Sequence, residues 1–285
     1  MTNTRHGAPA DAARVLRRSW PHLPWTDVRI ARGAFHHVLL LPPRAVIRVR
    51  NGAEHARATD REVTIATTLS WAGLGSPGPL GDPVHRKRWS AAAYEFVEGA
   101  GFTARRWSED RHVLLGLLEA WADAGRRVPG LAGSLPQPRA WCGGDAWPSL
   151  VDRLTAGQEA LRSAARKRVR AMLDLEAEAN GSLVHGDFGP HNIVLPASGG
   201  RAVLIDTDHA SWADPAIDIA PLLASYPEHE LAADIPRPLL SRATAHRRTL
   251  SLQVAAAAWL RGDHRLREHA LGNFARRIRS ADPQW

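Results

Sequence analysis

Residues 182–208 read SLVHGDFGPHNIVLPASGGRAVLIDTD, and two short apolar runs within them, Ser182–Val184 and 203–205, each lead into carboxylates. An apolar run that ends on charge marks a site rather than a core. His185-Gly186-Asp187 is followed by Asn192, five positions after the aspartate, and Asp206 closes the second run. Asp, Asn and Asp in that order are the groups that phosphoryl transfer needs. The transferred group passes through a transition state with negative charge spread over its oxygens, so catalysis rests on positioning and on neutralisation by magnesium. Mg²⁺ is a hard, octahedral ion that keeps several waters and takes one or two oxygens from protein. Asn192 and Asp206 supply such oxygens, and Asp187 is suited to accept the proton of an attacking hydroxyl and to align it. Gly186 leaves the loop free to adopt a backbone shape that a side chain would hinder.

The spacing Asp-x-x-x-x-Asn, followed by a metal-binding Asp, is similar to the kinase catalytic loop. The His-Gly-Asp form of that loop, with IDTDHASWADPAIDIA at 205–220, resembles the aminoglycoside phosphotransferase family of kinase-like enzymes. Asp206, Asp208, Asp214, Pro215, Asp218 and Ala220 match the family's register. Thr207 stands where the family usually has an aromatic, a change that bears on packing rather than on the metal. His-Gly-Asp alone is a weak signal; joined to Asn192, Asp206 and the Asp-Pro-x-x-Asp at 214–218 it is a strong one. Asp214 and Asp218 also have a purely structural reading, as helix-start residues capping a helix over 215–225.

The resemblance implies an α+β, two-lobe, protein-kinase-like fold. A small β-rich N-lobe is expected over 1–97 and a large α-helical C-lobe over 98–285, with ATP or GTP as cosubstrate in the cleft together with Mg²⁺. The residues themselves give strands at 28–31, 35–41 and 45–49, punctuated by Gly33 and Pro42-Pro43. Gly33 is the candidate for a phosphate-covering turn. Period-2 alternation puts Arg44, Val46, Arg48 and Arg50 on one face of the third strand. In the family a basic residue on this strand reaches the nucleotide phosphates. Arg48 takes that role here, with Arg50 as the alternative, and Glu62, on a helix over 55–69, is the acid that orients it. The strand over 89–97 ends at Glu95, Phe96 and Val97, which correspond to the family's adenine-binding hinge.

Helical patterns follow at 111–125, 158–179, 215–225, 238–248, 250–261 and 264–279, with a Gly/Pro/Trp-rich loop over 131–148. Hydrophobic residues are 44% and charged residues 23%, ordinary values that argue against wholesale disorder. No apolar stretch reaches membrane-span length, and the N-terminal residues show no signal-peptide core. Cys142 is the lone cysteine, which excludes an intrachain disulfide and fits a cytoplasmic setting. The net charge of +8 invites a nucleic-acid partner. Its distribution argues otherwise, because the arginines are scattered and only Lys87 and Lys167 are lysines. His36 and His37 would point to opposite faces of a strand and cannot share a metal. His185 is expected to hold its loop by hydrogen bonds.

Within the family, Gly33-Ala34-Phe35-His36-His37-Val38 most resembles the tuberactinomycin kinases, which act on viomycin and capreomycin. The implied activity is an antibiotic O-phosphotransferase that moves the γ-phosphoryl of a nucleoside triphosphate to a hydroxyl of a cationic antibiotic, first a tuberactinomycin peptide. An aminoglycoside kinase and a small-metabolite kinase are the alternatives within the fold. A non-catalytic kinase-like binding module is the alternative from another class. Asp145, Asp208, Glu228 and Glu230 are the candidate acids for a cationic acceptor, and Trp141 and Trp147 are candidate flat walls for it.

Overall fold

The computed structural model of the chain describes residues 12–32, 36–52 and 54–280. The chain divides into two compact units, Met1–Ala100 with Val194–Asp208, and Gly101–Ile193 with His209–Trp285. The first break lies between Ala100 and Gly101, where the sequence reading placed a boundary at 97/98. The second unit, however, is interrupted, because 194–208 belongs with the first. No helix among the described residues is long and apolar enough to cross a membrane.

In the first unit, helix α1 (Ala12–Ser19) precedes strands β1 (Arg29–Arg32), β2 (His37–Leu41) and β3 (Ala45–Asn51), helix α2 (His55–Trp71) and strands β4 (Val84–His85) and β5 (Trp89–Glu95). The strands form one antiparallel sheet in the order β1-β2-β3-β5-β4. Alternation along β3 decides its two faces. Ala45, Ile47 and Val49 are fully buried against Leu39, Leu41, Trp89, Ala91 and Ala93, and Ala12 and Leu16 of α1 cover them. That leaves Val46, Arg48 and Arg50 on the opposite face. There Glu62 of α2 is 4% exposed, far less than an unpaired carboxylate tolerates. Gly33, the expected phosphate-covering glycine, lies outside the described residues.

Strand β6 (Gly99–Gly101) leads to helices α3 (Trp107–Arg127), α4 (Leu131–Ser134), α5 (Trp147–Leu154) and α6 (Glu159–Glu176). Strand β7 (Ser182–Val184) is followed by β8 (Ile193–Pro196), β9 (Val203–Leu204) and β10 (Ser211–Ala213), then by α7 (Ala216–Leu222), α8 (Glu228–Leu231), α9 (Arg237–Leu260) and α10 (His264–Arg279). Strands β8 and β9 join β6 in a three-stranded sheet, which is why 194–208 packs apart from its neighbours in sequence. Helix α9 is the hub of the second unit and packs on α10, α7, α6 and α5. Its buried run Ala255–Ala258 lets the neighbouring helices approach closely, and Leu252, Ala256 and Ala257 share a core with Trp147, Met172 and Phe274.

Three expectations change. The helices expected at 238–248 and 250–261 are the single helix α9. No Gly or Pro divides them, and the Thr249 hydroxyl, a potential competitor for the backbone, instead donates to the His246 carbonyl one turn back. The loop expected over 131–148 contains α4 and two 3₁₀ turns, Ala140–Cys142 and Gly144–Ala146. Trp147, expected as a wall of an acceptor pocket, is fully buried in the helical core.

Candidate active site

The loop after β7 is built from the backbone outward. β7 pairs antiparallel with β10, Val184 opposite Ser211, so the chain leaves the strand at His185 in a fixed direction. Gly186 has φ 85, and a Cβ there would lie 2.4 Å from the His209 carbonyl oxygen. Only glycine fits. The amides of His185 and Gly186 donate to Asp218 Oδ2 and Oδ1 at 2.7 and 2.8 Å. One buried carboxylate from α7 thus holds two consecutive loop amides. Burial pushes the Asp218 carboxyl up to about 7, against these two hydrogen bonds. Asp218 is therefore a loop anchor rather than a helix-start residue. Asp214 does take the helix-start role: its Oδ1 accepts from the Ala216 amide at 2.9 Å, and Arg242 Nε donates to its Oδ2 at 2.8 Å.

The side chains of the loop converge on Asp187. Asn192 Nδ2 donates to the Asp187 carbonyl at 2.9 Å and to Asp187 Oδ2 at 3.0 Å, and His191 Nε2 lies 3.3 Å from Oδ2. The Asp187 amide donates to His185 Nδ1 at 3.3 Å, and the buried His185 ring packs against Trp121. Burial raises the Asp187 carboxyl, but the His191 hydrogen bond and the nearby His209, His191 and His185 outweigh it and hold the group below the usual carboxylate range. Asp187 is thus an ionised, oriented acceptor. Asn192 spends its amide nitrogen on Asp187, which leaves its oxygen, a hard donor suited to Mg²⁺.

In the first unit, Arg48, Arg50, Glu62, Asp206 and Asp208 form one charged network, with Arg50 and Glu62 buried and Asp206 at its exposed edge. Arg48 Nη1 lies 3.0 Å from Glu62 Oε1 and 2.6 Å from Asp206 Oδ1, and Arg50 Nη2 lies 3.2 Å from both Glu62 Oε2 and Asp208 Oδ2. Asp206 holds φ 61, a left-handed conformation that Asp tolerates better than most residues. Partial loss of solvation, with Asp208 and Glu62 beside it, raises the Asp206 carboxyl well above its ordinary range against the pull of Arg48. A divalent cation would relieve that crowding of negative charge, so a carboxylate there fits Mg²⁺. His36 meets Arg48 Nη2 at 3.0 Å, and burial, then Arg48, push its ring down to about 4, so it adds no charge.

A cavity of about 260 Å³ adjoins this network. Val38, Leu40, Val46, Tyr94, Val194 and Ile205 make its walls apolar, Glu95, Phe96 and Val97 line it, and Arg48, Glu62 and Asp206 make it polar. An apolar cavity beside a charged cluster suits a base joined to phosphates. The Phe96 amide is taken by the Arg44 carbonyl at 3.1 Å, and the Glu95 carboxylate accepts from the Gly78 amide at 3.0 Å. Thr207, in the place of the family's aromatic, is buried and lines the same cavity.

The substrate-side candidates scatter. Asp208 is bound to Arg50 and Arg48, so it belongs to the charged network and not to an acceptor pocket. Glu230 accepts from the Trp107 amide at 3.2 Å and so serves the N-terminus of α3. Asp145 and Glu228 are exposed. Trp141 stacks on His209, centroids 4.7 Å apart and planes within 14°. Sequence reasoning missed the roles of Asp218 and His36, because partners supplied by backbone amides or by burial leave no spacing to read.

A profile described as "Phosphotransferase enzyme family" matches residues 27–249, more than three quarters of the chain. No curated protein matches the chain in sequence. Among solved structures the chain is similar to the GDP and kanamycin complex of APH(2")-IIia, with TM-score 0.71 and 14% identity over 92% of this chain and 96% of that one. It is also similar to spectinomycin phosphotransferase with ADP and spectinomycin, with TM-score 0.62 and 16% identity over 95% of each. A third is aminoglycoside phosphotransferase APH(4)-Ia with ADP and hygromycin B, with TM-score 0.65 and 17% identity over 95% of this chain and 99% of that one. These likenesses establish a kinase-like fold.

Proposed function

The chain belongs to the phosphotransferase enzyme family, and from that premise we propose that it moves the γ-phosphoryl group of ATP or GTP to a hydroxyl of a cationic antibiotic, first a tuberactinomycin peptide such as capreomycin or viomycin. The observation that carries the reading is Asp187, an ionised carboxylate aimed by Asn192 and His191 on a loop that Asp218 holds by its amides. An acceptor hydroxyl bonded to Asp187 gives up its proton as its oxygen attacks phosphorus, and the O–P bond to the nucleoside diphosphate breaks. Arg48 neutralises charge on the phosphates, Glu62 orients Arg48, and Glu95–Val97 border the base. Asp206 and Asn192 would hold Mg²⁺, which would neutralise the phosphoryl oxygens.

For the acceptor, the exposed acids Asp145 and Glu228 would meet its cations. Trp141, fixed on His209 beside Gly186, would offer a flat face. The sequence from 33 to 38 supports the cyclic peptides. The net charge of +8 opposes a cation only at long range, since screening confines exposed charges to about 8 Å at physiological salt. A second reading, an aminoglycoside as acceptor, draws on the structural neighbours that bind kanamycin and hygromycin B. Incubation with Mg-ATP or Mg-GTP and capreomycin, viomycin, kanamycin or streptomycin, read by mass spectrometry, separates the two. The expected product is a phosphorylated cyclic peptide. Turnover of an aminoglycoside alone would move the acceptor to the second reading.

A further inference from the structure

Arg139 holds φ 59 and is, with Asp206, one of two non-glycine residues in the left-handed region among the described residues. Strain of this kind persists only where the surroundings over-determine it, and it clusters at functional sites. Glycine would take this conformation without strain, and what it lacks is the guanidinium. That group is held from two sides. Nη1 and Nη2 donate to Glu176 Oε1 and Oε2, both at 2.8 Å, a bidentate pair at the end of α6, and the guanidinium carbon lies 5.7 Å from the centroid of the Trp147 ring. The Arg139 carbonyl accepts from the Cys142 and Gly144 amides, both at 2.9 Å. One residue thus ties the 3₁₀ turn Ala140–Cys142 to the helical core. The turn carries Trp141, whose ring stacks on His209. His209 in turn lies on Gly186, since a Cβ there would meet the His209 carbonyl oxygen and Cβ, and Asp187 is the next residue. Arg139, Trp141, Gly186 and His209 also border one cavity of about 20 Å³, room for a single water.

We propose that Arg139 and Glu176 are positioning residues that hold Trp141 against His209 and thereby shape the acceptor side of the site. The proposal rests on the acceptor reading above, in which Trp141 offers a flat face. The pair suits the task because a planar guanidinium meets both carboxylate oxygens at once, which fixes direction as well as distance. Lysine, a point charge, would fix neither. The two side chains are 13% and 16% exposed, so water and salt screen the pair far less than a surface ion pair. Glu176 also cancels the charge of Arg139, which would otherwise repel a cationic acceptor at short range.

The test is steady-state kinetics of the full chain with Mg-ATP or Mg-GTP and capreomycin, viomycin, kanamycin or streptomycin, with melting curves recorded in parallel. Arg139→Gly keeps the backbone and deletes the guanidinium. It is expected to raise the KM for the acceptor about tenfold, with kcat and the KM for nucleotide within about threefold of wild type. Glu176→Gln, which keeps one acceptor oxygen, is expected to raise the KM for the acceptor about threefold, and the double variant to be no worse than Arg139→Gly, as for two residues that act as one. Hydrogen exchange of Arg139→Gly without any acceptor is expected to quicken at 140–144 and also around His209. An ion pair that only supports the fold would lower the melting temperature, leave the KM for the acceptor unchanged in the folded variants and confine faster exchange to 139–147, which would overturn the proposal. Equal rises in the KM for acceptor and for nucleotide would also overturn it. If Arg139→Gly does not fold, Glu176→Gln decides alone: a rise in the KM for the acceptor only supports the proposal, and an unchanged one overturns it. Failure of the wild-type chain to phosphorylate any of the four antibiotics would instead overturn the acceptor reading, and exchange around His209 would then decide the proposal.

Discussion

Asp218 anchors the loop that carries Asp187, and it does so through two short hydrogen bonds from consecutive amides at 2.7 and 2.8 Å. Asparagine in its place has one acceptor oxygen for two donors, so one amide loses its partner and the loop shifts. Misplacement of a catalytic group by about 1 Å costs about 100-fold. Asp218→Asn is therefore expected to lower kcat by about that factor with little change in the KM for nucleotide, in steady-state kinetics. Asp187, Asn192 and Asp206 could be picked as candidates from sequence because phosphoryl-transfer chemistry asks for those residue types at a fixed chain spacing, and the fold does bring Asn192 onto Asp187. The partners of Asp218 are backbone amides, which every residue carries, so its role needed the fold. Asp208 misled for a related reason. A carboxylate in a loop looks free until the arginines of a distant strand are seen to hold it.

Helices and strands were legible where periodicity and breakers agreed. The alternation on β3 separated Arg48 and Arg50 from Ala45, Ile47 and Val49, and the sheet keeps that separation. Trp147 shows where local reading stops. It follows a loop rich in glycine, yet it opens α5 and is fully buried beside Met172 and Phe274. Trp147→Ala is expected to destabilise the chain by about 3–5 kcal/mol, the usual cost of emptying an aromatic site in a core. Chemical denaturation measures this. The KM for the acceptor should stay unchanged in the folded variant, and a raised KM would return Trp147 to the acceptor site.

At the scale of the molecule, the division of the chain into 1–100 with 194–208 and 101–193 with 209–285 could not be read from sequence. It depends on β8 pairing with β6 on one side and with β9 on the other, a choice that short strands do not encode. Stability against acid is also a property of the whole chain. Burial raises the Asp214 carboxyl, but His246, Arg242 and the Ala216 amide outweigh it and hold the group below the ordinary range. A lowered folded value contributes stability that is full above the unfolded value, about 3.9, and is lost as pH falls through the folded one. Asp214→Asn is expected to flatten the loss of stability below about pH 4, seen as a smaller drop in urea midpoint between about pH 7 and pH 3.

The central claim is that Asp187 directs a hydroxyl onto the γ-phosphoryl of a nucleoside triphosphate. Its most direct measurement is transfer of label from γ-labelled ATP or GTP, with Mg²⁺, to capreomycin or viomycin by the wild-type chain and by Asp187→Asn. The expected result is labelled acceptor from the wild type and a loss of about 100- to 10,000-fold in the variant, with nucleotide affinity kept. Equal labelling by the two proteins, or no labelled product from the wild type with any hydroxylated antibiotic or metabolite tried, would contradict it.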